Sequence, residues 1–339
     1  MKIEERLLTI VFLIVGFASY GQQKTALHHN GSATLYSGLY QFTDAYNNAV
    51  AGDTIYLPGG TFSNFPTLNK HLVIYGIGVH PDSAAATGET IISGNLSIQG
   101  TADSLELHGL HVNGNIRITY NQKSDNVLIN RCMMTEFETT GNFSTPSSNL
   151  LIKESIILGN VNFENVTSST ISNSLIEGRV FNGSSNAFVN NIFFYENTST
   201  IYHTINNCDN SLFSSNVFLR SNASIHSSTD FSTFTNNVFA NTIPAGSNTW
   251  TGNYMNTTLT SFFVNQTGYT PNFYHDYHLT APTTYLGLDG TEVGIFGGLY
   301  PLKLGNIPEN PHVSSKTIAP QTSVNGDLNI QIQVNAQNN

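Results

Sequence analysis

Six segments in the middle of the chain repeat one short pattern, and this repeat is the feature that most restricts the fold. Each segment has an apolar residue, two polar residues, a small residue or asparagine, and then two apolar residues. The six segments are Ile129–Met134, Ile152–Ile157, Ile171–Ile176, Phe188–Phe193, Phe213–Phe218 and Phe234–Phe239. Their first residues lie 17 to 25 positions apart, which is the range of a solenoid repeat.

A period of about 21 residues with short apolar stretches favours a β-solenoid over helical repeats, which need longer periods and helical apolar spacing. The consensus of leucine-rich repeats is also missing from these segments. Loops of unequal length at the corners of a coil account for the irregular spacing. We therefore predict an all-β fold, a right-handed parallel β-helix of about 9 to 11 coils with three short strands in each coil.

Asparagine supports this interpretation, because the chain contains 42 asparagines and only 10% charged residues. Asparagine is disfavoured inside helices but tolerates the left-handed backbone of turns. Adjacent coils lie about 4.8 Å apart, so side chains at one register position stack and exchange hydrogen bonds. One polar column is predicted from the register, and it contains Cys132, Ser155, Ser174, Asn191, Asn216 and Asn237. Two aromatic columns are also predicted, one of Phe188, Phe213 and Phe234 and one of Phe193, Phe218 and Phe239.

The same register separates the two cysteines of the chain. Cys132 and Cys208 fall about four coils apart, which is about 19 Å, whereas a disulfide needs Cα atoms within about 7 Å. We therefore predict two free thiols.

Both ends of the repeat carry segments that could close a solenoid. Apolar residues at helical spacing predict a short capping helix near 37–50. We assign residues 24–300 to the β-helix with this cap. Residues 301–339 contain four prolines and then alternating apolar residues over 328–334, which predict an irregular strap and a half-buried strand.

One stretch after the predicted helix carries a family resemblance. Residues 52–62 read Gly-Asp-Thr-Ile-Tyr-Leu-Pro-Gly-Gly-Thr-Phe. Together with the repeat, this opening resembles secreted bacterial right-handed parallel β-helix proteins of the pectin lyase-like superfamily. Residues 276–279 followed by 294–298 look like the closing coil of such proteins. The resemblance covers about residues 37–300 and implies the fold, but no single activity, because the fold hosts lyases, hydrolases and non-catalytic surface proteins.

Charge and the N-terminal residues restrict partners and location. The formal net charge is −10, from 12 Lys and Arg against 22 Asp and Glu, which argues against the basic stripe of a nucleic-acid binder. Residues 1–21 have early cations, an apolar stretch of about 11 residues and a small-residue end, which predict a cleaved signal peptide. We therefore expect a secreted bacterial protein, extracellular, periplasmic or on the outer cell surface. We expect a monomer with no membrane span and no nucleic-acid partner.

Lyases of the family that the chain resembles use an arginine or lysine base, often with Ca²⁺ held by carboxylates. The candidate catalytic residues are Arg131, Lys153 and Arg179, and the candidate binding residues are Arg117, Glu154 and Glu177. The register places Arg131 beside Glu154 and Arg179 near Glu177, and surface ion pairs explain both placements equally well. A glycan site would then lie on one coil face around the four cations. Ca²⁺ is a cofactor only under the lyase hypothesis, and no other cofactor is expected.

Hydrolases and metal sites have weaker support in the sequence. Inverting hydrolases need two carboxyl groups about 6.5–9.5 Å apart. Asp209 and Asp230 are one coil apart, but both also fit corner turns, where aspartate is common. His108 and His111 fall in a strand and turn and should face different ways. No histidine shows the fixed spacing of a zinc framework, so we expect no metal site.

Two functions follow from these observations. The first is a secreted or cell-surface β-helix that is non-catalytic and binds a glycan or another partner along a polar face. The second is a polysaccharide lyase or glycoside hydrolase acting on an acidic polysaccharide, with a lyase favoured over a hydrolase. A flat, ladder-like face would favour the binding protein, and a cation with clustered carboxylates in one groove would favour the enzyme.

Overall fold

The structure is a computed structural model. It describes residues 23–335 except 142–144, 198–200, 222–223, 243–245, 304 and 308. The signal peptide predicted at 1–21 lies outside these residues. Three parallel sheets wind around one apolar core, so the predicted parallel β-helix is confirmed. The stack has about eight turns, and the last strand of its largest sheet ends at residue 251.

We name the three sheets faces A, B and C. Face A is a sheet of 12 strands that begins with an antiparallel hairpin of Lys24–His29 and Ser32–Ser37. Each coil then adds one parallel strand to it. The parallel strands of face A are Thr54–Tyr56, Val73–Tyr75, Glu106–His108, Leu128–Asn130, Leu151–Lys153, Thr170–Ser172, Ala187–Val189, Leu212–Ser214, Thr233–Thr235 and Thr249–Thr251.

Faces B and C have nine and seven strands among the described residues. The strands of face B are Gly60–Phe62, Thr90–Ile92, His111–Val112, Met133–Met134, Ile156–Ile157, Leu175–Ile176, Ile192–Phe193, Val217–Phe218 and Val238–Phe239. The strands of face C are Leu96–Ile98, Ile116–Ile118, Phe137–Thr139, Val161–Phe163, Val180–Phe181, Ile205–Asn206 and His226–Ser227. Three two-stranded sheets complete the fold, pairing Ser147–Ser148 with Val166–Thr167, Phe263–Asn265 with Asp276–Leu279, and His312–Ile318 with Ile330–Asn335.

The predicted aromatic columns form the inner side of faces A and B. Ring centroids are 4.8 Å apart between Phe188 and Phe213 and 4.7 Å apart between Phe213 and Phe234, with nearly parallel planes. The Phe234 ring then stacks on Trp250 at 4.2 Å. These separations match the spacing of adjacent coils, because the strand register places equivalent residues of successive coils directly above each other.

The predicted polar column is also confirmed, and it lies at the buried corner between faces A and B. The Asn191 side chain donates to Asn216 Oδ1 at 3.1 Å, and Asn216 donates to Asn237 Oδ1 at 2.9 Å. Asn237 then donates to Asn253 Oδ1 at 3.0 Å. Each amide oxygen also accepts the main-chain N–H of the preceding coil, as Asn237 Oδ1 does from Asn216 at 2.9 Å. The column therefore satisfies polar groups that the corner buries.

The residue just before each member of this column has a left-handed backbone. The φ angles lie between 48° and 64°. These residues form a second column, the outer corner column, which consists of Gly109, Arg131, Glu154, Asn173, Asn190, Ser215, Asn236 and Gly252. Left-handed φ is readily adopted by glycine and asparagine but costs other residues about 1–2 kcal/mol. The side chains of its non-glycine members point away from the core. Several of them form hydrogen bonds with a later part of the chain, residues 286–307.

After the last coil, residues 254–307 form a return segment that runs back along the solenoid. Asn236 Nδ2 donates to the carbonyl of Leu286 at 3.0 Å, and three coils earlier Asn173 Nδ2 donates to the carbonyl of Gly297 at 2.7 Å. Arg131 Nη1 donates to the carbonyl of Ile307 at 2.6 Å. The return segment therefore runs from the last coils back toward the earlier ones. Residues 276–279, expected in a closing coil, instead pair antiparallel with 263–265.

The return segment covers the outer side of face B and builds a second apolar core. Outward side chains of face B are buried beneath it, with Leu175 4% exposed and Ile192 fully buried. Phe194 packs edge-to-face against Tyr277 of the return segment, with centroids 5.7 Å apart. The solenoid therefore has an apolar core inside the coils and another between face B and the return segment.

The two ends agree with the sequence analysis in part. The helix Gln41–Asn48 lies within the predicted 37–50, and Phe42 stacks on Phe65 at 3.9 Å. The C-terminal strand is present as Ile330–Asn335, but its residues are all exposed. The expected half-burial is wrong, because among the described residues this strand pairs only with His312–Ile318, and only the first residue of that partner strand is buried.

Both cysteines are free and buried, as predicted. Burial raises the pKa of Cys132 and of Cys208 to about 12. Both thiols therefore stay protonated and unreactive at neutral pH.

Candidate functional site

The outer side of face A carries an open groove, bounded on one side by the return segment. We call it the face-A groove. Its volume is about 460 Å³, within the range of ordinary ligand sites. The coils contribute Leu151, Thr170, Ser172, Asn173, Val189, Asn190, Leu212, Ser214 and Ser215, and the return segment contributes Leu288, Asp289, Gly298, Leu299 and Tyr300.

The groove is positioned by the strand alternation of face A. In Leu151–Lys153 the middle residue Ile152 points into the core, so Leu151 and Lys153 point outward. The register places Leu151, Thr170, Ala187 and Leu212 in one outward column and Lys153, Ser172, Val189 and Ser214 in another. The floor of the groove is therefore two parallel columns of side chains at the coil spacing.

One rim of the groove exposes apolar side chains to solvent. Leu299 is 88% exposed and Leu288 is 67% exposed, and Tyr300 between the two cavities is 47% exposed. Exposed apolar groups that line a concavity are typical of ligand-binding grooves. The middle of the face-A groove therefore has an aliphatic rim and a floor on which aliphatic side chains alternate with hydroxyl and amide side chains.

Beyond Tyr300 the groove continues into a second cavity of about 300 Å³, which we call the cationic end. It is lined by Arg131, Lys153, Glu154, Leu299, Tyr300, Pro301, Lys303 and Glu309. Arg131 Nε donates to Glu154 Oε2 at 2.8 Å, and the two side chains are 1% and 2% exposed. The register prediction for this pair is confirmed, but the pair is buried and not at the surface, because the return segment covers it.

This buried pair organises the return segment. Glu154 Oε2 also accepts the main-chain N–H of Lys303 at 3.3 Å, and Arg131 donates to the Ile307 carbonyl. Arg131 and Glu154 both have left-handed backbones, which are unfavourable for residues other than glycine and asparagine. Backbone strain of this kind persists only where surrounding contacts fix it. The pair therefore serves as the anchor of the return segment at this end.

Lys153 is the cation that face A contributes to this end of the groove. Its side chain is 12% exposed, and its Nζ lies 3.9 Å from Glu154 Oε1, beyond hydrogen-bond distance. The ammonium also lies 4.6 Å from the centroid of the Tyr300 ring, a cation–π contact. Lys153 is thus held between a carboxylate and an aromatic rim residue where the two cavities meet.

Further toward the N-terminal end, face A carries a stack of rings that we call the aromatic ladder. It consists of Tyr56, Tyr75 and His108, with centroids 5.5 Å and 4.5 Å apart. His108 is buried, and its Nε2 lies 3.1 Å from Glu106 Oε2. Burial lowers the pKa of His108, so the imidazole is neutral at pH 7. Asn130 continues the same column toward Lys153.

The remaining candidate cations lie elsewhere, so the predicted cluster of four on one face is wrong. Arg117 points outward from face C, with Nη1 3.8 Å from Glu138 and Nε donating to Ser97 Oγ. Arg179 lies beside the next face C strands, where Nε donates to the carbonyl of His203 at 3.0 Å and the guanidinium lies over Tyr202. The cause is local: these residues flank face C strands, whereas Lys153 belongs to face A.

Glu177 does not meet Arg179 in any ion pair of the described residues. It accepts a hydrogen bond from Thr270 of the return segment at 3.2 Å. Burial under that segment raises the pKa of Glu177. Glu177 therefore binds the return segment that covers face B and does not line a ligand site.

The weaker alternatives have structural explanations. Asp209 Oδ1 accepts the main-chain N–H of Asp230 at 2.7 Å, so this pair supports a corner turn, as the sequence analysis allowed. His108 and His111 project from faces A and B, which confirms that they face different ways. No group of three or more His, Cys, Asp or Glu residues that could hold a metal ion occurs within the described part of the chain.

The sequence analysis missed most of the groove wall. Leu288 lies 73 positions from Ser215 of the groove, Leu299 and Tyr300 lie still further along the chain, and no periodic signal links the three to face A. The aromatic ladder was detectable in principle, because Tyr56 and Tyr75 each close a short apolar strand in the opening coils.

No protein-family model, curated protein or solved structure matches this chain. The resemblance to pectin lyase-like proteins therefore stays a prediction. In the described ranges, no helix is long and apolar enough to cross a membrane.

Proposed function

We propose that this protein is a secreted or cell-surface β-helix that binds a polysaccharide along face A without cleaving it. The observation that carries the proposal is the face-A groove, which crosses several coils along the solenoid and presents side chains at the regular spacing of the coils. A polymer with a repeating unit can meet a repeating surface at several positions, and several weak contacts add in affinity. The return segment covers face B and only borders face A, so the groove on face A stays open.

The candidate catalytic residues support a binding role. Arg131 is 1% exposed and is hydrogen-bonded to Glu154 and to the Ile307 carbonyl, so it is not placed to remove a proton from a sugar. Arg179 is bonded to a main-chain carbonyl on another face. Proton transfer needs a side chain within hydrogen-bond reach of the substrate. Of the three candidates, Lys153 is the one with a side chain that is neither fully buried nor on another face, and it lines the end of the groove.

A second candidate function is a polysaccharide lyase, and the position of Lys153 favours it. Lys153 shares one outward column of face A with the neutral His108, and Glu309 lines the same end of the groove. Elimination from a uronic acid needs a base that accepts the α-proton and positive charge that stabilises the sugar carboxylate, and Lys153 can accept that proton only as the uncharged amine. The lyase proposal assigns Lys153 the role of base.

One experiment separates the two functions. The mature protein is titrated with alginate, xanthan, pectate and chondroitin by calorimetry, and the ultraviolet absorbance of an unsaturated sugar product is followed in parallel, with and without Ca²⁺. Binding without any rise in absorbance is the expected result. A rise that disappears in Lys153→Met would replace the binding proposal with the lyase. No binding to any polymer would contradict both.

A further inference from the structure

The face-A groove has two chemically different parts, and this difference indicates what kind of polysaccharide it takes. The middle part exposes Leu151 and Leu212 on a floor that also contains hydroxyl side chains, and Leu288 and Leu299 form its rim. The cationic end begins in the same coil as Leu151, at Lys153, which follows Leu151 in the same strand by two residues. A ligand that fills both parts must bring apolar and anionic groups close together.

An unsubstituted sugar chain suits the aliphatic part poorly. Its hydroxyl groups would lose water against leucine side chains that cannot hydrogen-bond, and an unmet buried hydroxyl is costly. The leucine rim is also costly to leave in water, with Leu299 88% exposed. Small apolar substituents on the sugars would remove both costs, because they would cover the leucines and replace the hydroxyls.

The charge of the cationic end points to an acidic chain. The whole chain has a formal net charge of −10. The cationic end is lined by three cations, Arg131, Lys153 and Lys303, against two carboxylates, Glu154 and Glu309, a local balance of +1 (3 − 2). Because Arg131 and Glu154 bind each other, Lys153 and Lys303 are the cations left for a ligand, and Lys153 Nζ lies 3.9 Å from Glu154 Oε1.

Building on the proposed polysaccharide binding, we propose that the face-A groove recognises an acidic polysaccharide that carries O-acyl esters. The acyl groups lie between Leu151 or Leu212 and the leucine rim, and a uronate carboxylate one or two sugars away pairs with Lys153. Asp289 lies in the aliphatic part, hydrogen-bonded to Thr291, so a carboxylate is favoured only at the Lys153 end.

The test compares polymers that differ only in their esters. Naturally acetylated bacterial alginate and acetylated xanthan are each measured before and after removal of the acetyl groups with mild alkali. Each acyl methyl group buried against leucine contributes about fourfold in affinity, so two such contacts predict at least tenfold tighter binding of the acetylated form. Calorimetry or biolayer interferometry on the mature protein gives this ratio.

Variants assign the effect to the groove. The double variant Leu288→Asn/Leu299→Asn changes exposed rim residues and should lower the ratio of the two affinities from tenfold or more to below threefold. The matched control is Leu328→Asn, a 47% exposed leucine next to the C-terminal hairpin, which should keep the wild-type ratio. Lys153→Met should weaken the binding of both the acetylated and the deacetylated polymer and should reduce the salt dependence of binding.

The outcomes separate this inference from the proposed function. Equal binding of the acetylated and deacetylated forms would overturn the ester preference and leave polysaccharide binding intact. An unchanged ratio in the rim variant would place the ester site outside the groove and overturn the inference. Binding of neither form of either polymer would overturn both.

Discussion

Faces A and B belong to the same coils and share the same inward packing, yet their outer sides differ. On face B the outward column is apolar and is covered by the return segment, with Leu175 4% exposed and Ile192 fully buried. On face A the outward columns mix Leu151, Thr170 and Lys153 and remain open as a groove. The comparison shows that the outward residues, and not the core, decide which face of this solenoid is free to bind a ligand.

The corner between the two faces keeps them distinct. Its outer column holds the return segment through side chains such as Asn173 and Asn190, which donate to the carbonyls of Gly297 and Gly294. The segment therefore lies on face B and only its edge reaches face A. That edge supplies Leu288, Leu299 and Tyr300 to the groove.

The largest effect should come from breaking the anchor at this corner. Glu154→Gln leaves the Arg131 guanidinium buried without its counter-charge, and we expect a loss of about 3–5 kcal/mol in the free energy of unfolding. The matched control is Glu138→Gln, which breaks the more exposed pair of Arg117 and Glu138 on face C and should cost at most about 1 kcal/mol. Denaturant titration measures both. Equal losses would show that the anchor does not stabilise the return segment.

A matched pair of leucines tests the two faces directly. Leu175→Ala removes a side chain between face B and the return segment and should cost about 2–5 kcal/mol. Leu151→Ala, on the open face A and half-buried, should cost about 1 kcal/mol. Thermal or chemical unfolding gives the difference. A Leu151 variant as unstable as the Leu175 variant would contradict the open groove.

A smaller effect should loosen the return segment without unfolding the coils. Asn173→Gly keeps a residue suited to the left-handed backbone but removes two hydrogen bonds, to the carbonyls of Ile295 and Gly297. Each bond contributes about 1 kcal/mol. Amide hydrogen exchange should quicken over 285–300 and stay unchanged in faces A and C. The control Asn149→Gly, at an exposed left-handed position, should leave exchange over 285–300 as in wild type.

The smallest effect concerns pH. Burial lowers the pKa of His108, so its folded pKa lies below the unfolded value near 6.5. Above that value the imidazole is neutral in both states and contributes fully to stability. As the pH falls below it, the unfolded state binds the proton first and the free energy of unfolding decreases. His312 shifts in the same direction.

The measurement is the free energy of unfolding at about pH 7.5 and about pH 5, in wild type and in His108→Gln. The decrease on acidification should be smaller in the variant, because the buried imidazole is gone. The charged and titratable groups that act on His108 are Glu106, Glu309 and Lys153. An equal decrease in both proteins would show that these carboxylates, and not His108, dominate the pH dependence.

The coil interior was predictable because it repeats. Asn216 and Asn237, or Phe213 and Phe234, occupy equivalent positions in segments of similar sequence, so aligning the segments gives their contacts. The return segment was not predictable in this way. Leu299 and Tyr300 lie far along the chain from Leu151 and have no equivalents in the coils, and only the folded chain brings them together. The same limit applies to Arg131, whose pairing with Glu154 followed from the register but whose burial depends on the return segment.

The most direct test of the account is hydroxyl-radical footprinting of the mature protein with and without acetylated alginate. The account predicts that oxidation of Leu299 and Tyr300 in the groove decreases when the polymer is bound. Tyr120, Tyr202 and Tyr274 are exposed away from the groove and should be oxidised equally in both samples. Protection of Tyr202 beside Arg179, with Tyr300 unchanged, would contradict the claim that face A binds the polysaccharide.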